Sequence, residues 1–141
     1  MAARMSEGGT GRACPADDPK AAKRARSSAA WHAGASAEES VRRLYERRGL
    51  TLAAHRWRGG GGEIDLILTD GSEVIFVEVK SSRTHGAAAE SLRPRQAARL
   101  VAAAEEYLGT LPRGSLTPCR FDLATVDRRG DVRVIKNAVG F

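Results

Sequence analysis

Two short runs rich in isoleucine, leucine and valine, Ile64–Leu68 and Val74–Val79, lie on either side of the dipeptide Asp70-Gly71. Asp-Gly between two such runs is a strong signal for a β-hairpin, because the turn needs residues that tolerate positive φ. As a two-residue turn, Asp70-Gly71 pairs Thr69 with Ser72 and sets the register of both strands. This register constrains the fold more than any other feature, since it decides which side chains share a face.

The predicted register gathers charged side chains on one face of the hairpin. It places Glu63 opposite Glu78, and it makes Asp65 and Glu78 diagonal neighbours, ~7 Å apart at the backbone, with Lys80 on the same face. Because facing like charges destabilise a sheet, a bound Mg²⁺ would relieve the repulsion between these carboxylates. A surface hairpin with Glu–Lys pairs at its edge is the alternative. The opposite face is predicted to pack on the core and consists of Ile64, Leu66, Ile75, Val77 and Val79.

Further elements surround the hairpin. Ser36 followed by Glu39 fits a capping box and predicts a helix over residues 37–48. At ~100° per residue, Glu38 lies on the edge of the apolar stripe of this helix, whereas Glu39 points away from it. The remaining predicted elements are a strand over Leu50–Arg58, a helix over Pro94–Leu108, and strands over Phe121–Val126 and Val132–Ala138. The order α-β-β-β-α-β-β is typical of an α/β or α+β sandwich.

Three features outside the hairpin each allow two interpretations. The four glycines of Gly59–Gly62 form either a mobile flap over the site or a plain flexible loop. His85 is either a proton shuttle or a solvated loop residue. Trp57 either stacks on a nucleic-acid base or packs in the core, and its place in a strand favours the core.

Charge and composition limit the kinds of partner, metal site and cellular location that we expect. The chain carries 23 Lys and Arg against 17 Asp and Glu, a net charge of +6, which favours a polyanionic partner such as nucleic acid. Two cysteines exclude a disulfide scaffold and a four-cysteine zinc site. No apolar stretch approaches the ~20 residues of a membrane span, so we expect no membrane partner. Because only two cysteines occur, the reducing cytoplasm is the expected setting. Residues 1–30 contain no Val, Ile, Leu or aromatic residue and are predicted to be a disordered basic tail.

The spacing of the charged residues matches a known motif. Asp65, followed after the hairpin by Glu78-Val79-Lys80, resembles the D…ExK signature of the PD-(D/E)XK nucleases. Longer segments are similar to the YraN-like bacterial family of predicted endonucleases, which is distantly similar to archaeal Holliday-junction resolvases. These segments are Gly34-xx-Ala37-Glu38, Gly62–Ile67, Phe76–Lys80, Arg120-Phe121-Asp122 and Asn137-Ala138. The resemblance covers about residues 31–141, which we expect to form a single nuclease-like domain.

This resemblance implies a fold and a metal site. The fold is the restriction-endonuclease-like αβββαβ core, in which helices flank a mixed central sheet. Asp65 and Glu78 would be ligands of Mg²⁺ or Mn²⁺, and the carbonyl of Val79 would often be a third. The implied activity is metal-dependent hydrolysis of DNA phosphodiester bonds, with branched or damaged DNA among the candidate substrates. The alternative is a nucleic-acid-binding module that keeps the nuclease fold without catalysis.

The resemblance also implies catalytic and DNA-contacting residues. Lys80 would position or deprotonate the attacking water, and Glu38 matches the first-helix acid of the resolvase-like branch. Gln96 falls where related nucleases carry Gln or Lys at the start of the second helix. The candidate phosphate contacts are Arg58, Arg83, Arg95 and Arg99. Resolvase-like enzymes act on two-fold symmetric junctions, so the resemblance allows a homodimer.

Overall fold

The computed structural model of the protein describes residues 36–139. Residues 36–47 form helix α1. The elements that follow are β1 (Thr51–Arg58), β2 (Glu63–Thr69), β3 (Val74–Ser81), α2 (His85–Glu90), α3 (Pro94–Leu108), a 3₁₀ turn (Gly114–Leu116), β4 (Cys119–Val126) and β5 (Val132–Ile135). The predicted tail of residues 1–30 and Gly34 of the first motif lie outside the described residues.

The strands form one five-stranded sheet in the order β1-β2-β3-β4-β5. β3 and β4 are parallel, and every other neighbouring pair is antiparallel. The connection between the parallel strands contains α2 and α3. The predicted fold class is therefore confirmed: the protein is an α+β domain with a mixed sheet flanked by helices, consistent with the restriction-endonuclease-like core.

Apolar side chains cover both faces of the sheet. On one face, Ile67 and Phe76 pack with Leu100 and Ala104 of α3. The other face packs against α1. Burial on both faces explains why the central strands are almost continuously apolar. Ile64 belongs to the α3 side, together with Ile67, so the prediction that it shares a face with Leu66 is wrong.

The hairpin between β2 and β3 differs from the predicted register. Thr69 pairs with Val74, so four residues form the loop. The carboxylate of Asp70 accepts hydrogen bonds from the backbone N–H groups of Ser72 and Glu73, at 2.9 and 2.8 Å, and these bonds hold the longer loop. The register is shifted by two residues. A two-residue shift preserves which side chains share a face, because side chains alternate with a period of two.

Two connecting segments also differ from prediction. α2 lies in a segment for which the sequence pattern predicts no helix. The side chain of Thr84 caps it by accepting a hydrogen bond from Ala87 N–H at 3.1 Å. β5 ends at Ile135, three residues earlier than predicted, and Asn137 follows with a φ of 56° that leaves the extended region. No helix within residues 36–139 is long and apolar enough to cross a membrane.

The loop of four glycines lies against α3. A Cβ added at Gly61 would approach the Cβ of Ala102 to 2.9 Å, closer than side chains normally pack. The N–H of Gly60 donates a 2.8 Å hydrogen bond to Oε1 of Glu106. The glycines thus permit close contact with a helix. Neither predicted interpretation includes this contact, and the mobility of the loop stays a prediction.

Candidate active site

The charged residues of the predicted motif lie where the β2–β3 ladder ends. That ladder ends at Leu66 and Val77, one residue before Asp65 and Glu78. The backbone N–H of Val79 donates a hydrogen bond to Oδ2 of Asp65 at 2.8 Å. A side-chain carboxylate thus accepts a bond from the neighbouring strand just past the end of the ladder.

Glu78 is the most enclosed acid of this group, with 5% of its surface exposed on the central strand β3. Its Oε2 accepts a hydrogen bond from Nε2 of Gln96 at 2.9 Å and lies 3.5 Å from Nζ of Lys80. Its Oε1 is buried and has no hydrogen-bond partner among the described residues. A surface hairpin, the alternative left open by the sequence, is excluded by this burial.

Both carboxyl groups hold protons more tightly than usual. Burial raises the pKa of Glu78 from an ordinary 4.5 to about 8, and the charge of Asp65 adds to the rise. Burial also raises the pKa of Asp65; the Val79 N–H lowers it, and the charge of Glu38 raises it. A half-buried and a buried carboxylate that act on each other do not both ionise readily without a compensating positive charge.

The donor set of this pair suits a hard divalent cation. Asp65 and Glu78 supply carboxylate oxygens, and the unpartnered Oε1 of Glu78 is a buried acceptor that needs a proton or a cation. Lys80 offsets part of the negative charge. The residues therefore fit Mg²⁺ or Mn²⁺, while the carbonyl of Val79 as a third ligand stays a prediction.

Glu38 lies on the inward side of α1, as the helix phase predicts, with 9% of its surface exposed. Its Oε1 lies 2.9 Å from Nε2 of His55 and 3.3 Å from Nε of Arg56. Its charge acts on Asp65. Glu63, the predicted third acid, is instead exposed and lies 3.9 Å from Arg58. The acid that accompanies the carboxylate pair is thus Glu38, which comes from another element.

Sequence reasoning did not identify the two β1 residues that hold Glu38. Arg56 has a φ of 54°, in the left-handed region that costs a non-glycine residue about 1–2 kcal/mol. It lies opposite Asp65, between the paired positions His55↔Leu66 and Trp57↔Ile64. No pattern in the sequence marks this strained position, because the ion pair with Glu38 joins residues 18 apart in the chain.

The remaining predicted contacts divide into enclosed and exposed groups. Gln96 touches the site through Glu78, in agreement with its predicted place on the edge of the buried face. The four arginines predicted to contact phosphates are all exposed: Arg58, Arg83, Arg95 and Arg99. Trp57 packs edge-on against Tyr107, with ring centroids 5.4 Å apart, as core packing requires.

The later motif residues form a buried network on β4, where Asp122 pairs with Val77 next to Glu78. Asp122 is fully buried and accepts hydrogen bonds from the hydroxyl of Tyr45 at 2.7 Å and from Arg120 at 2.9 and 3.2 Å. The backbone N–H of Asn137 donates to the same carboxylate at 3.1 Å. Burial raises the pKa of Tyr45. These residues join α1, β4 and the end of the chain, which is a structural role.

A second polar cluster was not foreseen. His85 Nδ1 lies 2.7 Å from Oγ1 of Thr125, and His85 Nε2 lies 3.0 Å from Oδ2 of Asp131. His85, Asp127 and Asp131 bring ligand atoms within 4.8 Å of one another, an arrangement that Glu38, Asp65 and Glu78 do not form. About 40 residues separate the histidine from its partners, so only the fold reveals the cluster.

Comparison with known sequences places the chain in a family. The model of a family described as "Uncharacterised protein family UPF0102" matches residues 37–126. A UPF0102 protein of Ruegeria pomeroyi is 57% identical over 108 residues, covering 77% of this chain and 88% of the relative. One of Cereibacter sphaeroides strain KD131 is 56% identical over 108 residues, covering 77% and 92%. One of Dinoroseobacter shibae is 45% identical over 116 residues, covering 82% and 87%. The chain therefore belongs to the UPF0102 family.

Proposed function

We propose that this protein is a metal-dependent endonuclease that hydrolyses phosphodiester bonds of DNA. The observation that carries the proposal is the pair of half-buried Asp65 and buried Glu78 beside the amine of Lys80. Oε1 of Glu78 lacks a hydrogen-bond partner in the described chain. The resemblance of these three residues to the D…ExK signature, and of the chain to the YraN-like predicted endonucleases, supports the same chemistry. Branched and damaged DNA are the substrate classes to test first.

The carboxylate pair and the Val79 carbonyl would hold the metal ion. When bound, Mg²⁺ neutralises charge on the phosphate and makes a nearby water more acidic. The Val79 N–H fixes Asp65, and Gln96 fixes Glu78, so both carboxylates are oriented before substrate arrives. Such preorganisation avoids rearrangement during the reaction.

Lys80 supplies the amino group of the site, which can carry a positive charge or accept a proton. In the hydrolysis, a water oxygen forms a bond to phosphorus, the P–O ester bond breaks, and the departing oxygen takes up a proton. The Lys80 amine, 3.5 Å from Oε2 of Glu78, positions or deprotonates the attacking water and stabilises charge on the phosphate. The compact lysine head group fits beside two carboxylates: as a neutral amine it can accept a proton from the water, and as an ammonium it stabilises charge on the phosphate.

Charged residues around the pair complete the proposed site. Glu38 adds negative charge near Asp65 and so favours a bound cation. The exposed Arg58, Arg95 and Arg99 supply positive charge for the phosphate backbone, the main source of affinity in DNA binding. The proposal places the protein in the cytoplasm. It also allows a homodimer. Sedimentation of the protein with and without a four-way junction would test whether this dimer forms.

The test is a cleavage panel of single-stranded, duplex, flap and four-way-junction DNA with Mg²⁺ or Mn²⁺. We expect cleavage by the wild type and by Glu105→Gln, a matched charge change on the exposed side of α3, but not by Asp65→Asn. Titration calorimetry with Mg²⁺ should show binding to the wild type and weaker binding to Asp65→Asn. Salt-sensitive DNA binding without cleavage by the wild type would favour the alternative, a binding module with the nuclease fold.

A further inference from the structure

An open depression of about 850 Å³ lies between the β3–α2 segment and the β4–β5 turn. Four arginines line it, together with His85 and a single acid, Asp127. Arg83 comes from the β3–α2 segment, whereas the other three come from the β4–β5 turn and β5: Arg128, Arg129 and Arg133. We call this depression the arginine pocket.

The positive charge of the arginine pocket is largely uncompensated. Within residues 36–139, the side chains of Arg83, Arg128 and Arg129 make no ion pair or hydrogen bond. Arg133 lies 3.6 Å from Asp131, and both side chains are exposed. Asp127 accepts hydrogen bonds from the backbone N–H groups of the turn, so its carboxylate is committed to the turn. Four arginines against the two carboxylates of Asp127 and Asp131 leave an excess of positive charge at this concavity, which favours an anion there.

Hydrogen bonds hold the pocket in shape. The His85 ring links Thr125 of β4 to Asp131 beside β5, at 2.7 and 3.0 Å, and it ties the start of α2 to the turn. Asp127 Oδ1 accepts from the N–H of Arg129 at 2.9 Å and from that of Asp131 at 3.0 Å. A metal ion at His85, Asp127 and Asp131 fits less well, since both ring nitrogens already have partners and arginines surround the cluster.

The arginine pocket lies next to the carboxylate site. Thr125, which contacts His85, pairs directly with Lys80 in the parallel β3–β4 ladder. Neighbouring strands are ~4.8 Å apart, so the backbone of Thr125, whose side chain contacts the pocket residue His85, lies about one strand spacing from that of Lys80. Arg83 follows Lys80 by three residues in the chain. A strand of nucleic acid that presents one phosphate to Lys80 can present another to this pocket.

We propose that the arginine pocket binds a phosphate of the nucleic-acid backbone next to the phosphate that is cleaved. That the bound phosphate belongs to a nucleic-acid strand rests on the proposed function. That the pocket binds an anion rests on the arginines of the pocket itself. Fork-shaped guanidinium groups suit phosphate oxygens because they donate two parallel hydrogen bonds. The pocket would thus set where along the strand the carboxylate site acts.

The experiment measures DNA affinity without catalysis. Labelled four-way-junction and duplex DNA are titrated with Asp65→Asn protein in EDTA at several salt concentrations, with fluorescence anisotropy as the readout. Adding Arg128→Ser and Arg129→Ser should weaken binding about tenfold or more and lower the log–log salt slope by about 2. The control is Arg47→Ser with Arg48→Ser, an adjacent exposed pair at the end of α1, which removes the same charge and should change affinity less than twofold.

Further arms separate the outcomes. Arg128→Lys with Arg129→Lys should restore the salt slope but only part of the affinity, because lysine keeps the charge without the two parallel hydrogen bonds. Arg83→Ser tests the other wall of the pocket should the turn variants fail to fold. Unchanged DNA affinity in the folded Arg128/Arg129 and Arg83 variants would overturn the proposal for the pocket. It would not affect the proposed nuclease function. Binding of inorganic phosphate, measured by calorimetry, that depends on Arg128 and Arg129 while DNA affinity is unaffected by their loss would assign the pocket to free phosphate and overturn the strand contact. A wild type that neither binds nor cleaves DNA would refute both proposals.

Discussion

The backbone N–H of Val79 lies 2.8 Å from Oδ2 of Asp65, on two strands whose shared ladder ends one step earlier. This bond lowers the pKa of Asp65 against the upward effect of burial, and Glu78 receives no such backbone bond. Asp65 is therefore the member of the pair that ionises first, and Glu78 keeps the proton. The asymmetry explains how half-buried Asp65 and buried Glu78 coexist without a bound cation.

The first prediction concerns the stability of the metal-free protein as a function of pH. The folded pKa of Glu78, about 8, lies above the ordinary 4.5, so the folded state binds more protons between these values. The contribution of Glu78 to stability is fully present below about pH 4.5 and is lost as pH rises through 8. In EDTA, the thermal midpoint should fall from pH 5 to pH 8, by about 4–8 °C per kcal/mol lost.

Two additions to that experiment identify the group responsible. Mg²⁺ should raise the midpoint more at pH 8 than at pH 5, because the cation replaces the proton. Glu78→Gln should flatten the metal-free profile, whereas Glu90→Gln, an exposed change at the end of α2, should leave it as in the wild type. A profile that persists in Glu78→Gln would assign the titration to another group.

Lys80→Arg should keep the charge, the fold and DNA binding but lose most cleavage. The broader guanidinium stays charged and does not fit beside two carboxylates and a metal ion. Lys136→Arg is the matched control, since Lys136 is exposed after β5. The measurement is the single-turnover cleavage rate in Mg²⁺, with folding checked by circular dichroism. Cleavage by folded Lys80→Arg at the wild-type rate would show that Lys80 only balances charge in the site.

Glu38→Gln and Glu39→Gln, neighbouring changes on one helix, should behave differently. Glu38 is enclosed near Asp65, so its loss of charge should weaken Mg²⁺ binding and slow cleavage. Glu39 forms surface ion pairs with Arg42 and Arg43, and its replacement should cost at most about 1 kcal/mol of stability and no activity. Calorimetry with Mg²⁺ and cleavage rates provide the comparison; equal values for the two variants would remove Glu38 from the site.

At position 56, a glycine variant should be more stable than an alanine variant, the reverse of the usual order in a strand. At a φ of 54°, glycine avoids the steric conflict that alanine suffers, so Arg56→Gly should be more stable than Arg56→Ala by about 1 kcal/mol. Both variants lose the contact with Glu38 and should cleave slowly to a similar degree. Urea unfolding measures the difference, and greater stability of the alanine variant would contradict a left-handed conformation at Arg56.

Gly61→Ala should destabilise the protein by about 1–3 kcal/mol, because its Cβ would meet the Cβ of Ala102 at 2.9 Å and the helix would have to move. Gly60→Ala is the adjacent control, since its Cβ would meet only Glu106, at an ordinary 3.8 Å. Denaturant titration of both variants tests whether the loop is docked on α3. Equal stability of the two variants would show that it is free.

Features with a local physical origin could be predicted from the sequence. The apolar periodicity of α3 over Pro94–Leu108 reproduces its observed bounds, because proline and the following Gly109 mark its ends. The inward position of Glu38 follows from the fixed rotation per residue of a helix. The α+β fold class follows from the order of the periodic segments. These features depend on neighbours within a few residues.

Features that join distant segments were decided only by the tertiary structure. The hairpin register depends on the Asp70 side chain, which favours a four-residue loop over the shorter turn. Glu38 rather than Glu63 accompanies the buried pair, because α1 and β1 meet there in space. The contact of His85 with Thr125 requires the parallel strand β4, 40 residues away. Such contacts form only when the sheet assembles, since no local pattern encodes which distant side chain will fill a given position.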